Sequence, residues 1–157
     1  MWTPYAGEPQ QLFAGFVHPP TEVMMRDAFA LRGLQNFATL KGLEGSCDLP
    51  LDRTSLMGLN RGNHWERLKL KCREYGLGGK NVPLPDSLEP LRDTLIATLH
   101  GKPTELQPSL IWNVAVCLWL LKAQPTLEEA IKLGQSLIRA GAPWDQLSAL
   151  KTAFAAS

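Results

Sequence analysis

The run Gly76-Leu77-Gly78-Gly79-Lys80 is the part of this chain nearest to a motif with a chemistry of its own, the cradling of phosphate by backbone amides. A loop of that type needs a first glycine, a hydroxyl after the lysine and a helix behind it. Here Glu74 stands for the glycine, Asn81 for the hydroxyl, and Pro83 and Pro85 follow in place of the helix. The segment therefore reads as a turn. The row Arg67, Lys69, Lys71 and Arg73 has the charge to meet nucleic-acid phosphates, but no aromatic residues interleave it. Lysines on the solvent face of an edge strand also prevent edge-to-edge pairing, and the row reads as protection of that kind. His18, His64 and His100 are scattered, and no Ser-His-Asp or Cys-His spacing accompanies them. Cys47, Cys72 and Cys117 have no metal-type spacing, and an odd, unpatterned count without a signal peptide fits a reducing, cytoplasmic setting. What remains is the polar loop 43–50, which carries Glu44, Cys47 and Asp48.

The elements that must position this loop can be read from periodicity. Residues 12–17 form a short apolar run stopped by His18-Pro19-Pro20, as suits a buried strand. Residues 21–31 have helical composition, with Met24, Ala28 and Leu31 on one face and Gly33 closing the turn. Residues 37–40 read as a second strand. Strand, helix and strand in so short a span make a βαβ unit, so the two strands are expected to be parallel. The loop then leaves the carboxyl end of a parallel strand, where open α/β sheets place ligands.

Beyond the loop, residues 55–59 suit a strand. Residues 66–73 alternate, with Leu68, Leu70 and Cys72 on one face and the basic row on the other, as a half-buried edge strand does. The rest is helical. Asp86 and Glu89 make a capping pair ahead of the stripe Leu88, Leu91, Leu95 and Leu99. Pro108 opens an apolar helix through Leu121, in which Trp112 and Trp119 are core anchors rather than a cofactor box. Thr126 and Glu129 form a capping box before Leu127, Ala130, Ile131, Leu137 and Ile138, and Pro143 opens a last helix with Trp144, Leu147 and Leu150 inward. The fold class is α/β: a partial, largely parallel β-sheet with one antiparallel edge strand, flanked by helices and followed by a helical C-terminal tail.

Three segments, in order, resemble the carboxyl-terminal half of the anthranilate phosphoribosyltransferase family, within the nucleoside-phosphorylase-like glycosyltransferases. They are Gly15-Phe16-Val17-His18-Pro19 with its helix; Lys41-Gly42-Leu43-Glu44-Gly45 with Cys47-Asp48; and a tail with Asn113-Val114-Ala115, Thr126-Leu127-Glu128-Glu129-Ala130-Ile131 and Ser136-Leu137-Ile138-Arg139-Ala140-Gly141. The resemblance implies a transferase of tryptophan biosynthesis that moves phosphoribosyl from phosphoribosyl pyrophosphate (PRPP) to an aromatic amine, with magnesium shielding the pyrophosphate. It places the glycine-rich phosphate loop, the phosphate-binding groups and the amine-binding helices upstream of this chain, leaving the acidic-pair loop within it. Most of the family carries adjacent Asp-Glu where this chain has Cys47-Asp48. A hard cation gains little from a cysteine sulfur. Glu44 and Asp48 are thus either solvated loop acids or the donors of a weakened magnesium site. An inactive isolated chain is expected, and a non-catalytic binding or assembly module is the alternative. Strands missing from the upstream side would leave an apolar edge or face open to self-association or to an N-terminal half.

The bulk numbers exclude other classes. The 157 residues suit one domain, with a lead-in over 1–10, a sheet region over 11–80 and helices over 86–156. Hydrophobic residues are 45% and charged residues 20%, ordinary globular values. A net charge of +1 provides no field for nucleic acid or a membrane surface. The longest apolar stretch, 110–121, is broken by Asn113 and is too short for a bilayer span.

Overall fold

The computed structural model describes residues 11–62, 64–82 and 87–155. The lead-in 1–10, Pro83, Pro85 and Asp86 lie outside the described residues. Two compact units divide the chain, residues 1–72 and 73–157.

In the first unit, β1 (Leu12–Gly15) pairs in parallel with β2 (Asn36–Leu40), Leu12 opposite Phe37 and Gly15 opposite Leu40. The crossover is α1 (Pro19–Leu31). β1 ends at Gly15, short of the expected 12–17, and the prolines start the helix, because a first-turn residue has no intrahelical use for its N–H. His18 is the N-cap, and its carbonyl accepts the Thr21 N–H at 3.0 Å. The expected parallel pair and its helical crossover are both present.

The rest of the sheet differs in balance from the expectation. β3 (Ser55–Arg61) runs antiparallel to β2, and β4 (His64–Leu70) runs antiparallel to β3, giving the order β1-β2-β3-β4. The class is α/β, but the sheet is mixed, with one parallel pair, rather than largely parallel. Residues 41–54 contain a single helical turn and no crossover helix, so the chain comes back beside β2 in the opposite sense. A tight turn including Gly62 then folds β4 onto β3, with Arg61 opposite His64. β4 is an edge strand, as its alternation implied, and Lys69 is exposed while Leu70 is buried.

The inward face of α1 is not the apolar one. Met24 and Leu31 are 71% and 89% exposed, and Ala28 is exposed too, whereas Glu22 and Phe29 are buried. Phe29 meets Phe37 edge to face at 4.9 Å between ring centroids. The helix takes this rotation because its carboxylate has partners on the sheet.

In the second unit, α2 (Leu88–Leu99), α3 (Gln107–Leu120), α4 (Leu127–Arg139) and α5 (Ala142–Ala155) follow in sequence. The Thr126 hydroxyl accepts the Glu129 N–H at 3.2 Å, so the expected cap of α4 forms. Its buried stripe is Leu127, Ala130, Ile131 and Ile138, with Leu137 turned partly outward. Gly134 brings α4 close to α3, where Ile111, Trp112, Ala115 and Val116 are buried. Trp112 is fully buried and lies 5.8 Å from the Tyr75 ring, while Trp119 is only half-buried. On α2 the expected leucine stripe turns outward at Leu88 and Leu95, and Thr98 is the buried residue, donating to the Thr94 carbonyl at 2.7 Å. On α5, Trp144 and Leu147 are half-buried, and the Trp144 ring lies 4.1 Å from that of His100, but Leu150 is exposed. Among the described residues no helix is long and apolar enough to cross a membrane.

Candidate functional site

Because β1 and β2 are parallel, Gly15 and Leu40 end on the same side of the sheet. The loop holding Glu44, Cys47 and Asp48 starts there. It is closed by its own hydrogen bonds. The Leu43 N–H donates to the Asp48 carbonyl at 2.8 Å, Ser46 N–H to the Leu43 carbonyl at 2.8 Å, and Asp48 N–H to Ser46 Oγ at 3.0 Å. The loop also lies hard against β1. A Cβ on Gly15 would clash with the Gly45 and Ser46 carbonyl oxygens, and one on Gly42 would sit 2.6 Å from the Asp48 carbonyl oxygen. Gly45 has φ +81° and faces Val17, so only glycine meets both demands there.

Within this frame the three candidate side chains are placed differently. Glu44 is exposed and takes a left-handed backbone, φ 48° and ψ 29°, uncommon for a residue with a Cβ. Its carboxylate acts on Arg53, whose guanidinium is held charged first by Asp52, bonded at 2.8 and 3.1 Å, and further by Glu44. Asp48 is exposed beside Cys47. The Cys47 thiol is pushed up from its ordinary value by partial desolvation first and the Asp48 carboxylate second, with the Gly15 N–H pulling the other way.

The loop thus gathers Glu44, Cys47 and Asp48 at the carboxyl ends of the parallel pair. It does not gather enough of them for a metal centre. Among the described residues, no three His, Cys, Asp or Glu side chains converge so as to hold an ion. A thiol beside the exposed Asp48 carboxylate is a poor donor set for magnesium, which asks for oxygen throughout. The group implied by the sequence resemblance does not fit the residues present.

The structure also assembles a cluster that sequence reasoning missed. Thr39 Oγ1 donates to Glu22 Oε1 at 2.8 Å, and Arg67 on β4 donates to Glu22 Oε2, so a carboxylate with a side chain 2% exposed is paired from two strands. Thr39, Gly58 and Arg67 lie in one row across the sheet. The Trp65 ring lies over Gly58, the Arg26 guanidinium sits 3.9 Å above that ring, and Phe37 is 6.0 Å away. This cluster docks α1 on the sheet. A signal was available: Glu22, Arg26 and Phe29 share one helical face, and an acid on the face of a buried aromatic demands a partner. Arg67, read as edge protection, is that partner, while Lys69 keeps the edge role. His18 and His64 take structural positions at the start of α1 and of β4.

No protein-family model matches the chain. Over 135 residues, 83% of this chain, it is 26% identical to an anthranilate phosphoribosyltransferase from Prochlorococcus marinus, of which it covers 38%. Solved structures share its fold. The anthranilate phosphoribosyltransferase of Thermus thermophilus superposes with a TM-score of 0.66 at 19% identity, over 85% of this chain and 40% of that one. The Saccharomyces cerevisiae enzyme in complex with 4-fluoroanthranilate gives 0.73 at 14% identity, over 88% and 41%. A serine-to-alanine variant of the yeast enzyme with magnesium bound gives 0.71 at 16% identity, over the same shares, 88% and 41%. The chain therefore spans about two-fifths of the length of the relatives it matches, as a carboxyl-terminal half would. The resemblance read from the sequence holds in sequence and in fold.

Proposed function

We propose that this chain is the carboxyl-terminal part of an anthranilate phosphoribosyltransferase-like glycosyltransferase and is inactive by itself. The observation that carries the reading is the self-closed loop 42–48 at the carboxyl ends of the parallel pair, where a substrate-side loop belongs. In a complete protein of this type, PRPP and an aromatic amine are the substrates, the setting is cytoplasmic and the pathway is tryptophan biosynthesis. Transfer requires pyrophosphate, ribose carbon and amine to be held together, with charge neutralised as it develops. These residues contribute at most oxygen donors at Glu44 and Asp48, for an ion held weakly or not at all. The sequence has no run with the full pattern of a glycine-rich phosphate loop. The two units together correspond to a single domain-sized half of the larger protein.

The test is direct: the purified chain, PRPP, magnesium and anthranilate, with product followed by fluorescence. No turnover is expected. Turnover by the chain alone overturns the reading, because it would require a complete site among residues assigned here to structure. A second reading, a non-catalytic assembly module on the same fold, is favoured by Cys47 in the loop and by the outward apolar face of α1, Val23, Met24 and Leu31. Both readings expect association, with a second copy or with an N-terminal half. A clean monomer by light scattering at high concentration would count against both. A glycine-loop sequence encoded immediately upstream favours the enzyme part; its absence favours the module.

A further inference from the structure

We infer that residues 42–48 keep the frame of a cation loop but have lost its donor set, and that the loss is at one position, Cys47. The inference rests on the family reading of this loop.

The frame needs no ion. Three hydrogen bonds internal to the loop close it, Gly15 and Gly42 admit backbone contacts that a side chain would break, and Gly45 takes a left-handed turn against the Val17 side chain. Its shape is therefore set by sequence features that have nothing to do with metal. The donors tell a different story. Glu44 leaves a left-handed residue and shares its field with Arg53, which is already bonded to Asp52. Asp48 is an exposed carboxylate with a sulfur as its neighbour. Magnesium asks for near-octahedral oxygen at about 2.0–2.1 Å and releases water reluctantly, so one carboxylate and a thiol cannot displace enough of its shell.

The side chain at position 47 is exposed, so exchanging it calls for no repacking. A carboxylate there would sit beside Asp48 on a backbone already fixed, facing the same Gly15 N–H that the sulfur now faces. Loss by ligand, with the frame intact, is reversible by one substitution. Loss by collapse of the loop would not be.

The experiment is a manganese titration of the isotopically labelled chain, reading paramagnetic broadening of the amides of residues 42–48. The unaltered chain is expected to give no selective, saturable broadening through the millimolar range. Cys47→Asp is expected to give it, with affinity raised about tenfold or more. Cys47→Ser, which adds no charge, is the control for the fold and is expected to behave as the unaltered chain. Saturable broadening in the unaltered chain that Asp48→Asn removes overturns the inference. So does a Cys47→Asp chain whose loop amides keep their positions and never broaden. Should Cys47→Asp fail to fold, Cys47→Glu takes its place in the same titration, with the same two outcomes. Turnover plays no part in this readout, so the inference and the family reading can fail separately.

Discussion

Replacing Arg67 by alanine tests whether the buried carboxylate of Glu22 fixes α1 to the sheet. The pair is asymmetric: the Glu22 side chain is 2% exposed and that of Arg67 48%. Breaking a fully buried pair by removing one partner costs about 3–5 kcal/mol, and an exposed pair contributes about 0–1 kcal/mol. Here water can follow the departing guanidinium from its exposed side, and Thr39 Oγ1 still donates to the carboxylate at 2.8 Å. A cost of about 2 kcal/mol is expected for Arg67→Ala. Glu22→Gln keeps an acceptor for Thr39 and removes the charge. In that background Arg67→Ala should cost only about 0.5 kcal/mol, a coupling of about 1.5 kcal/mol. Because the chain has two units, a single global transition is not assured. Amide hydrogen exchange in β3, which lies between β2 and β4, reports opening of this unit alone. The expected change in Arg67→Ala is a faster exchange by about 30-fold. A coupling below about 0.5 kcal/mol would refute the claim that the charge pair, and not the shape of the side chains, holds the helix.

Gly58→Ala places a Cβ against the Trp65 ring and 2.6 Å from Thr39 Oγ1, so it should cost about 2–3 kcal/mol and release the Arg26 stack, read as a change in tryptophan fluorescence with thermal unfolding. The paired substitution Met24→Gln and Leu31→Gln should cost less than about 0.5 kcal/mol each by urea unfolding, since both side chains point to solvent; a core-sized loss would restore the apolar stripe as the inward face. The raised Cys47 thiol stays protonated at neutral pH, so its alkylation should climb as pH rises into the alkaline range. Asp48→Asn removes the second cause of that shift and should speed alkylation about two- to threefold at a fixed, mildly alkaline pH, followed by mass spectrometry; an unchanged rate would exclude the carboxylate.

The sequence alone determined the parts that depend on local rules. Prolines after an apolar run started α1, Thr126 with Glu129 capped α4, and alternation marked β4 as an edge with Leu70 inside. The βαβ spacing determined the parallel pair, and with it the side of the sheet on which residues 42–48 lie. The segments carrying the family resemblance were legible as well, because they lie in one linear order. Tertiary structure decided whatever depended on partners distant in the chain. The rotation of α1 could not be read from its apolar residues, because Thr39 and Arg67, 17 and 45 positions away, turn the carboxylate of Glu22 inward and leave Met24 and Leu31 in water. The direction of β3 likewise followed from what residues 41–54 did not form, a crossover helix. At the loop, sequence named Glu44, Cys47 and Asp48, but only the fold revealed that Gly15, on another strand, clamps them and that Arg53 draws on Glu44. A residue's type limits the chemistry open to it; burial and pairing across the sheet decide which part of that chemistry is used.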